Sequence, residues 1–156
     1  VVGYDKIKPI ALGKEAKLLK TNYYRLENIK DKLIDSGYSE TMNYPFLPEN
    51  DLSSAGLKSS DLLEVANPLQ PENRFLRNSL IPGLLKNVAK NPAFDKILLF
   101  EIGHVFSKSR EDQNLAIVST DKDTESFIQS VMNFAKQTGI DQKMVKIKSY
   151  QKEEIV

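Results

Sequence analysis

Leu99-Phe-Glu-Ile-Gly-His-Val-Phe106 is the stretch that decides the fold. It continues an apolar run that begins at Ile97, and the segment 97–106 reads as one long strand. Leu98, Phe100 and Ile102 fall on one face, while Ile97, Leu99, Glu101 and Gly103 fall on the other. Apolar side chains on both faces predict that the strand is covered on both sides where it starts. A short polar connector, Ser107 to Gln113, leads to a second strand at Leu115 to Ser119, and so short a link makes the pair antiparallel.

Working outward, helical periods alternate with strand signals. Leu19, Tyr23, Leu26, Ile29 and Leu33 form one helical stripe, which predicts a helix over 15–36 capped by Gly37. Met42, Tyr44 and Phe46 then alternate in a strand over 40–47, which must lie at an edge or bend because Pro45 has no N–H. A short helix over 49–55 ends at Gly56, and a strand follows at 62–66. The next helix opens near Ser79, whose hydroxyl suits an unpaired first-turn N–H. Its apolar face is Ile81, Leu84, Leu85 and Val88, and Asn91-Pro92 stops it. Thr124 caps a further helix with the stripe Phe127, Ile128, Val131, Phe134 and Ala135, closed by Gly139. Met144 to Tyr150 alternates again, with Val145 and Ile147 inward. Helices among five strands predict an α+β domain, a mostly antiparallel sheet flanked by helices. Residues 1–12 read as a leader or the tail of a preceding module, and 13–156 as the core domain with its C-terminal limit open.

Composition narrows the chemistry. The chain has 156 residues, enough for one domain that buries roughly two thirds of its unfolded surface. It contains no Cys, which removes disulfides, thiolate metal sites and thiol nucleophiles together. A net charge of +1 gives no electrostatic footprint for bulk nucleic-acid or membrane binding. Apolar runs reach four residues, as at Ile97 to Phe100, against the ~20 needed to span a bilayer. With no signal peptide and no Asn-x-Ser/Thr site, the expected address is the cytoplasm. A start at Val1 rather than Met reads as a piece of a longer chain.

Motifs that carry catalysis do not appear in the residues. His104 is the single histidine and has no Cys or second His to complete a zinc site, so it reads as a partly exposed strand residue. The glycines are isolated, with no phosphate-cradling loop and no nucleophile elbow. Carboxylate pairs at Glu111-Asp112, Asp121/Asp123 and Glu153-Glu154 sit in polar segments and read as solvated surface. Lys143, Lys146 and Lys148 would line one strand face, but only Tyr150 adds an aromatic, so an ordinary wet edge is favoured over an RNA-binding strip.

Two stretches nevertheless carry a family likeness. Gly37-Tyr-Ser-Glu-Thr-Met-Asn-Tyr-Pro45-Phe-Leu47, directly after a long amphipathic helix, resembles motif 1 of class II aminoacyl-tRNA synthetases. Phe75-Leu-Arg-Asn-Ser-Leu-Ile-Pro-Gly-Leu-Leu85 and the opening Leu99–Phe106 stretch, with Gly3-Tyr-Asp-Lys-Ile7 and Ala66-Asn-Pro-Leu69, are similar in order and spacing to β subunits of bacterial phenylalanyl-tRNA synthetase. Pro45 falls one residue later after the glycine than the motif 1 pattern places it.

The resemblance implies a class II synthetase-like fold without the synthetase chemistry. In the family's catalytic α subunit, the motif 2 strand reads Gly-Arg-Val-Tyr-Arg, and its last arginine grips the ATP α-phosphate through a planar fork. The matching residues here are Gly103, His104, Val105, Phe106 and Ser107, so a serine stands where that arginine would be. No catalytic, cofactor-binding or metal-ligating residue is therefore expected in this segment, and the family's Mg²⁺-binding acidic residues would lie upstream of Gly3. ATP and Mg²⁺ belong to the intact (αβ)₂ complex, and tRNA meets the segment through that complex, with no membrane involved. The implied role is support of the catalytic α subunit in charging tRNA with phenylalanine. Tyr23, Leu26, Leu33, Tyr44 and Phe46 are the expected interface residues, on the motif 1 helix and strand, with a long apolar helix face left uncovered in the isolated chain. A stand-alone synthetase-like paralogue, or a tRNA-binding module built on the three lysines, is the alternative.

Overall fold

The computed structural model describes residues 22–54 and 56–150, together with positions 6 and 8. The expected leader thus falls almost wholly outside the described residues, as does the first part of the expected first helix. Strand β5, Leu98–Phe106, and strand β6, Glu111–Ser119, form the central hairpin, antiparallel from Leu98 opposite Ser119 to Phe106 opposite Glu111. The connector is only Ser107 to Arg110, shorter than its polarity suggests. Glu111 to Asn114 are polar because this end of the hairpin projects toward solvent, where alternation has no core to register.

Helix α1, Asn22–Asp35, crosses one face of the hairpin. It ends as the sequence predicts: Gly37 has φ +87°, and the Tyr38 N–H donates back to the Leu33 carbonyl at 3.0 Å. The chain turns directly into β1, Ser39–Glu40, which pairs parallel with β5, Ser39 opposite Leu99. That pairing makes this sheet mixed, in the order β1-β5-β6. Lys30 of α1 reaches Glu40 of β1 at 2.8 Å, and the hydrogen bond to that carboxylate holds the ammonium above its ordinary value. Ile29 and Leu33 pack on Phe100, with Ile102, Leu115, Ile117, Phe134 and Ile140 around them. Phe134 comes from helix α4, Thr124–Thr138. Its cap is Asp123 rather than Thr124, because the Asp123 carboxylate accepts from the Ser126 N–H at 3.0 Å.

The strand expected over 40–47 is broken in two. Its far end, β2 (Phe46–Leu47), joins a second sheet with β4 (Phe75–Leu76) and β3 (Leu63–Glu64), antiparallel in the order β2-β4-β3. Pro45 marks the break, as its missing N–H requires. Helix α2, Glu49–Ser54, covers this sheet, and Leu47, Leu52, Leu62 and Phe75 form a second small core. Strand β4 was not expected, since two residues are too short to show a period. Helix α3, Ile81–Ala89, starts beside Ser79, whose hydroxyl accepts from the Ile81 N–H at 3.2 Å, and buries Pro82, Leu84 and Leu85. Met144 to Tyr150 is not a strand. A 3₁₀ turn occupies Gln142–Met144, and the residues after it pair with no strand among the described residues. Alternation makes a strand only where a neighbouring edge supplies hydrogen bonds.

Phe100 is fully buried at the centre of the larger core, and Ile128 lies 37% exposed on α4. Phe100→Ala is expected to cost about 3–5 kcal/mol in urea unfolding. Ile128→Ala should stay within about 0.5 kcal/mol of the parent.

Candidate functional site: a buried ion pair beneath an exposed edge

Glu101 lies in the middle of β5 with 2% of its surface exposed, and Arg77, just past β4, is 7% exposed. Their side chains meet at 2.6 Å between Arg77 Nη1 and Glu101 Oε1. A buried charge is tolerable only when paired and fully hydrogen-bonded. Arg77 Nε donates to the His104 carbonyl at 2.9 Å and Nη1 donates to the Asn43 carbonyl at 3.1 Å. Glu101 accepts from the Asn43 N–H at 3.2 Å and from Asn43 Nδ2 at 2.8 Å. Asn87 of α3 completes the set, donating from Nδ2 to Asn43 Oδ1 at 3.1 Å. Two glycines make room for it. A Cβ on Gly103 would strike the Arg77 guanidinium, and one on Gly83 would come within 2.8 Å of Asn43 Cγ.

The segment over the pair is the gap between β1 and β2. Its backbone is held from below, since the Thr41 N–H donates to the Phe100 carbonyl at 2.8 Å and the Arg77 N–H to the Pro45 carbonyl at 2.9 Å. With Asn43 turned inward, Met42 and Tyr44 stand outward, 88% and 66% exposed. The Tyr44 and Phe46 rings are 5.2 Å apart. Of the other residues expected at an interface, Tyr23 is 63% exposed at the start of α1 and Leu26 is half-buried. Leu33, by contrast, belongs to the chain's own core at 2% exposure. Tyr24 and Ile34, which the sequence reading passed over, are exposed as well. The helix face is therefore divided: Ile29 and Leu33 are covered by their own chain and the tyrosines are not.

The hairpin end holds Gly103, His104 and Ser107, which the sequence reading set against motif 2. His104 Nδ1 is paired with the Glu111 carboxylate across the strands. The Ser107 hydroxyl is taken up in its own turn, donating to the Arg110 carbonyl at 3.1 Å and accepting from the Arg110 N–H at 3.2 Å. Arg110 Nε meets Asp112 at 2.7 Å, and Lys108 Nζ donates to the Ser60 carbonyl at 3.0 Å. Each cationic side chain of this hairpin end thus has a partner within the chain. Among the described residues no cluster of His, Cys, Asp and Glu could hold a metal ion, and no helix is long and apolar enough to cross a membrane. Lys143, Lys146 and Lys148 are exposed but do not share the strand face expected for them. The network of Arg77, Glu101 and Asn43 escaped the sequence reading, although a lone Glu inside an apolar strand is the signal for a buried cation nearby.

Solved structures of similar shape set the class. Pyrrolysyl-tRNA synthetase from Desulfitobacterium hafniense matches with a TM-score of 0.65 at 18% identity, over 77% of this chain and 47% of that one. A histidine–tRNA ligase subunit from Alicyclobacillus acidocaldarius matches with a TM-score of 0.62 at 15% identity, over 88% of this chain and 42% of that one. The α+β fold is that of the class II tRNA synthetases. Within that class, residues 11–150 match the family described as the phenylalanyl tRNA synthetase beta chain CLM domain, and the chain belongs to it. Among its relatives, the phenylalanine–tRNA ligase beta subunit of Solibacter usitatus is 33% identical over 106 residues, 66% of this chain and 14% of that protein. The beta subunit of Aquifex aeolicus is 34% identical over 123 residues, 76% of this chain and 15% of that protein. The chain therefore spans only a small part of the length of the relatives it matches.

Breaking the pair from one side should be far costlier than replacing it whole. Arg77→Met is expected to destabilise by about 3–5 kcal/mol, because it strands a buried carboxylate. Adding Glu101→Leu to Arg77→Met should recover most of that loss in a denaturation-based double-mutant cycle.

Proposed function

We propose that this chain is the non-catalytic, synthetase-like part of a phenylalanyl-tRNA synthetase β chain. It supports a catalytic α subunit, in an (αβ)₂ assembly in the cytoplasm, during ATP-dependent charging of tRNA with phenylalanine. The family match supports the identity of the module. The observation that carries the non-catalytic role is the hairpin end. Where the family likeness calls for a phosphate-gripping arginine the chain has Ser107, its hydroxyl closing its own turn. The neighbouring side chains of Arg77, His104, Lys108 and Arg110 each have a partner within the chain.

The described residues around this hairpin end do not fit a bound triphosphate. A nucleotide site needs cationic or N–H donors aimed at phosphate oxygens. Here the guanidinium of Arg77 is committed to Glu101 and two backbone carbonyls, and it is buried. ATP and Mg²⁺ are therefore assigned to the α subunit, and tRNA to the assembled enzyme. The stand-alone ligase reading finds no free phosphate donor among the described residues of the hairpin end, and the tRNA-strip reading has no strand over 144–150 among the described residues.

The side chains assigned to support are the exposed Tyr23, Met42 and Tyr44, with the half-buried Leu26 and Phe46. Exposed tyrosines suit a protein interface, since each offers a large rigid area with a polar tip at small entropic cost. In the full β chain, Tyr23→Ala and Tyr44→Ala are each expected to weaken assembly with the α subunit by about 1–2 kcal/mol, read by sedimentation. Phenylalanine charging at limiting subunit concentration should fall in step and recover when α is added in excess. Unchanged assembly and charging in both variants would overturn the reading.

A further inference from the structure

We propose that the Arg77–Glu101 pair is a positioning device, whose task is to hold the 41–45 segment so that Met42 and Tyr44 form a preset docking edge for the α subunit. The proposal rests on the assignment of this surface to subunit contact and adds how the surface is kept in shape. The segment between β1 and β2 has no ladder of its own. Backbone bonds hold its two ends, from the Thr41 N–H to the Phe100 carbonyl and from the Arg77 N–H to the Pro45 carbonyl, whereas the Asn43 N–H and carbonyl between them go to side chains. One buried ion pair takes both. Arg77 Nη1 donates to the Asn43 carbonyl at 3.1 Å. Glu101 takes the Asn43 N–H and side-chain amide, at 3.2 and 2.8 Å. Asn43 is thereby fixed inward, and its two neighbours stand outward, Met42 88% and Tyr44 66% exposed.

Stability does not by itself call for a charged pair at this place, since apolar replacements of equal volume commonly serve as well. What they cannot supply is hydrogen bonds to an irregular backbone segment. The guanidinium fork matters here because it spans Glu101, the His104 carbonyl and the Asn43 carbonyl at once, which a single ammonium cannot do. An edge held rigid before contact loses less freedom on binding, so the pair acts on affinity through the segment and touches no partner atom itself.

The test uses the full β chain with its α subunit and two variants. Arg77→Met/Glu101→Leu should unfold cooperatively near the parent temperature. Its amides over 41–45 should exchange with solvent about tenfold faster, and its association with α should weaken about tenfold. Met42→Ala/Tyr44→Ala should weaken association while leaving exchange over 41–45 unchanged. If the core double variant keeps parental exchange and association while the surface variant loses association, positioning is overturned and the surface assignment stands. If neither variant loses association, the surface assignment itself fails. Should the core variant not fold, Arg77→Lys replaces it: faster exchange over 41–45 with weakened association supports the proposal, and parental behaviour overturns it.

Discussion

Glu101 is a carboxylate placed in the middle of an apolar strand, and the architecture around it follows from the need to satisfy it. Leaving an ion of this kind unpaired in the interior would cost several kcal/mol, comparable to the whole stability of a small domain. Arg77 reaches it from the far end of β4, in the other sheet, so the pair ties the two three-stranded sheets to each other. Asn43 then links both ions to the segment between β1 and β2, and Asn87 links that segment to α3. The small residues at 83 and 103 are a consequence of the same crowding. One interaction thus fixes how the second sheet, the third helix and the exposed edge stand on the central hairpin.

The same arrangement bears on what the module does. The guanidinium of Arg77, beside β5, is turned inward toward a protein carboxylate. At the solvent end of the hairpin, the imidazole of His104 and the guanidinium of Arg110 are also met by carboxylates. Electrostatically the hairpin end is closed on itself. Tyr23, Tyr24, Met42 and Tyr44 are among the large apolar and aromatic side chains that stand exposed. A surface of that composition is suited to burying area against another protein and ill suited to gripping phosphate. Membership of the synthetase β-chain family and these two properties are what support the proposed role.

Much of this was legible before any coordinates. The alternation of Leu98, Phe100 and Ile102, the stripe through Ile29 and Leu33, and the turn glycines at 37 and 139 specify the hairpin, its covering helix and two helix ends. Pro45 announced a break, and the strand it sits in is indeed divided between two sheets. Other features were not readable, for physical reasons. Strand β4 has two residues and no period to detect. Val145 and Ile147 alternate as a strand should, but a strand is a relation between two segments, and the partner edge cannot be read from one of them. Leu33 and Tyr23 share one helical stripe, yet one is core and the other is surface, because a helical period does not say which of its turns meets the sheet. The Arg77–Glu101 contact joins residues 24 apart through a tertiary meeting no local pattern encodes.

The claim on which the account stands is that this module contributes no adenylate chemistry of its own. Phenylalanine-dependent exchange of labelled pyrophosphate into ATP measures that chemistry directly, in the β chain purified without its α subunit and again after α is restored. The account predicts exchange at the background rate for β alone and full exchange in the reconstituted complex. Exchange by the β chain alone, lost on Ser107→Ala or His104→Ala, would contradict it.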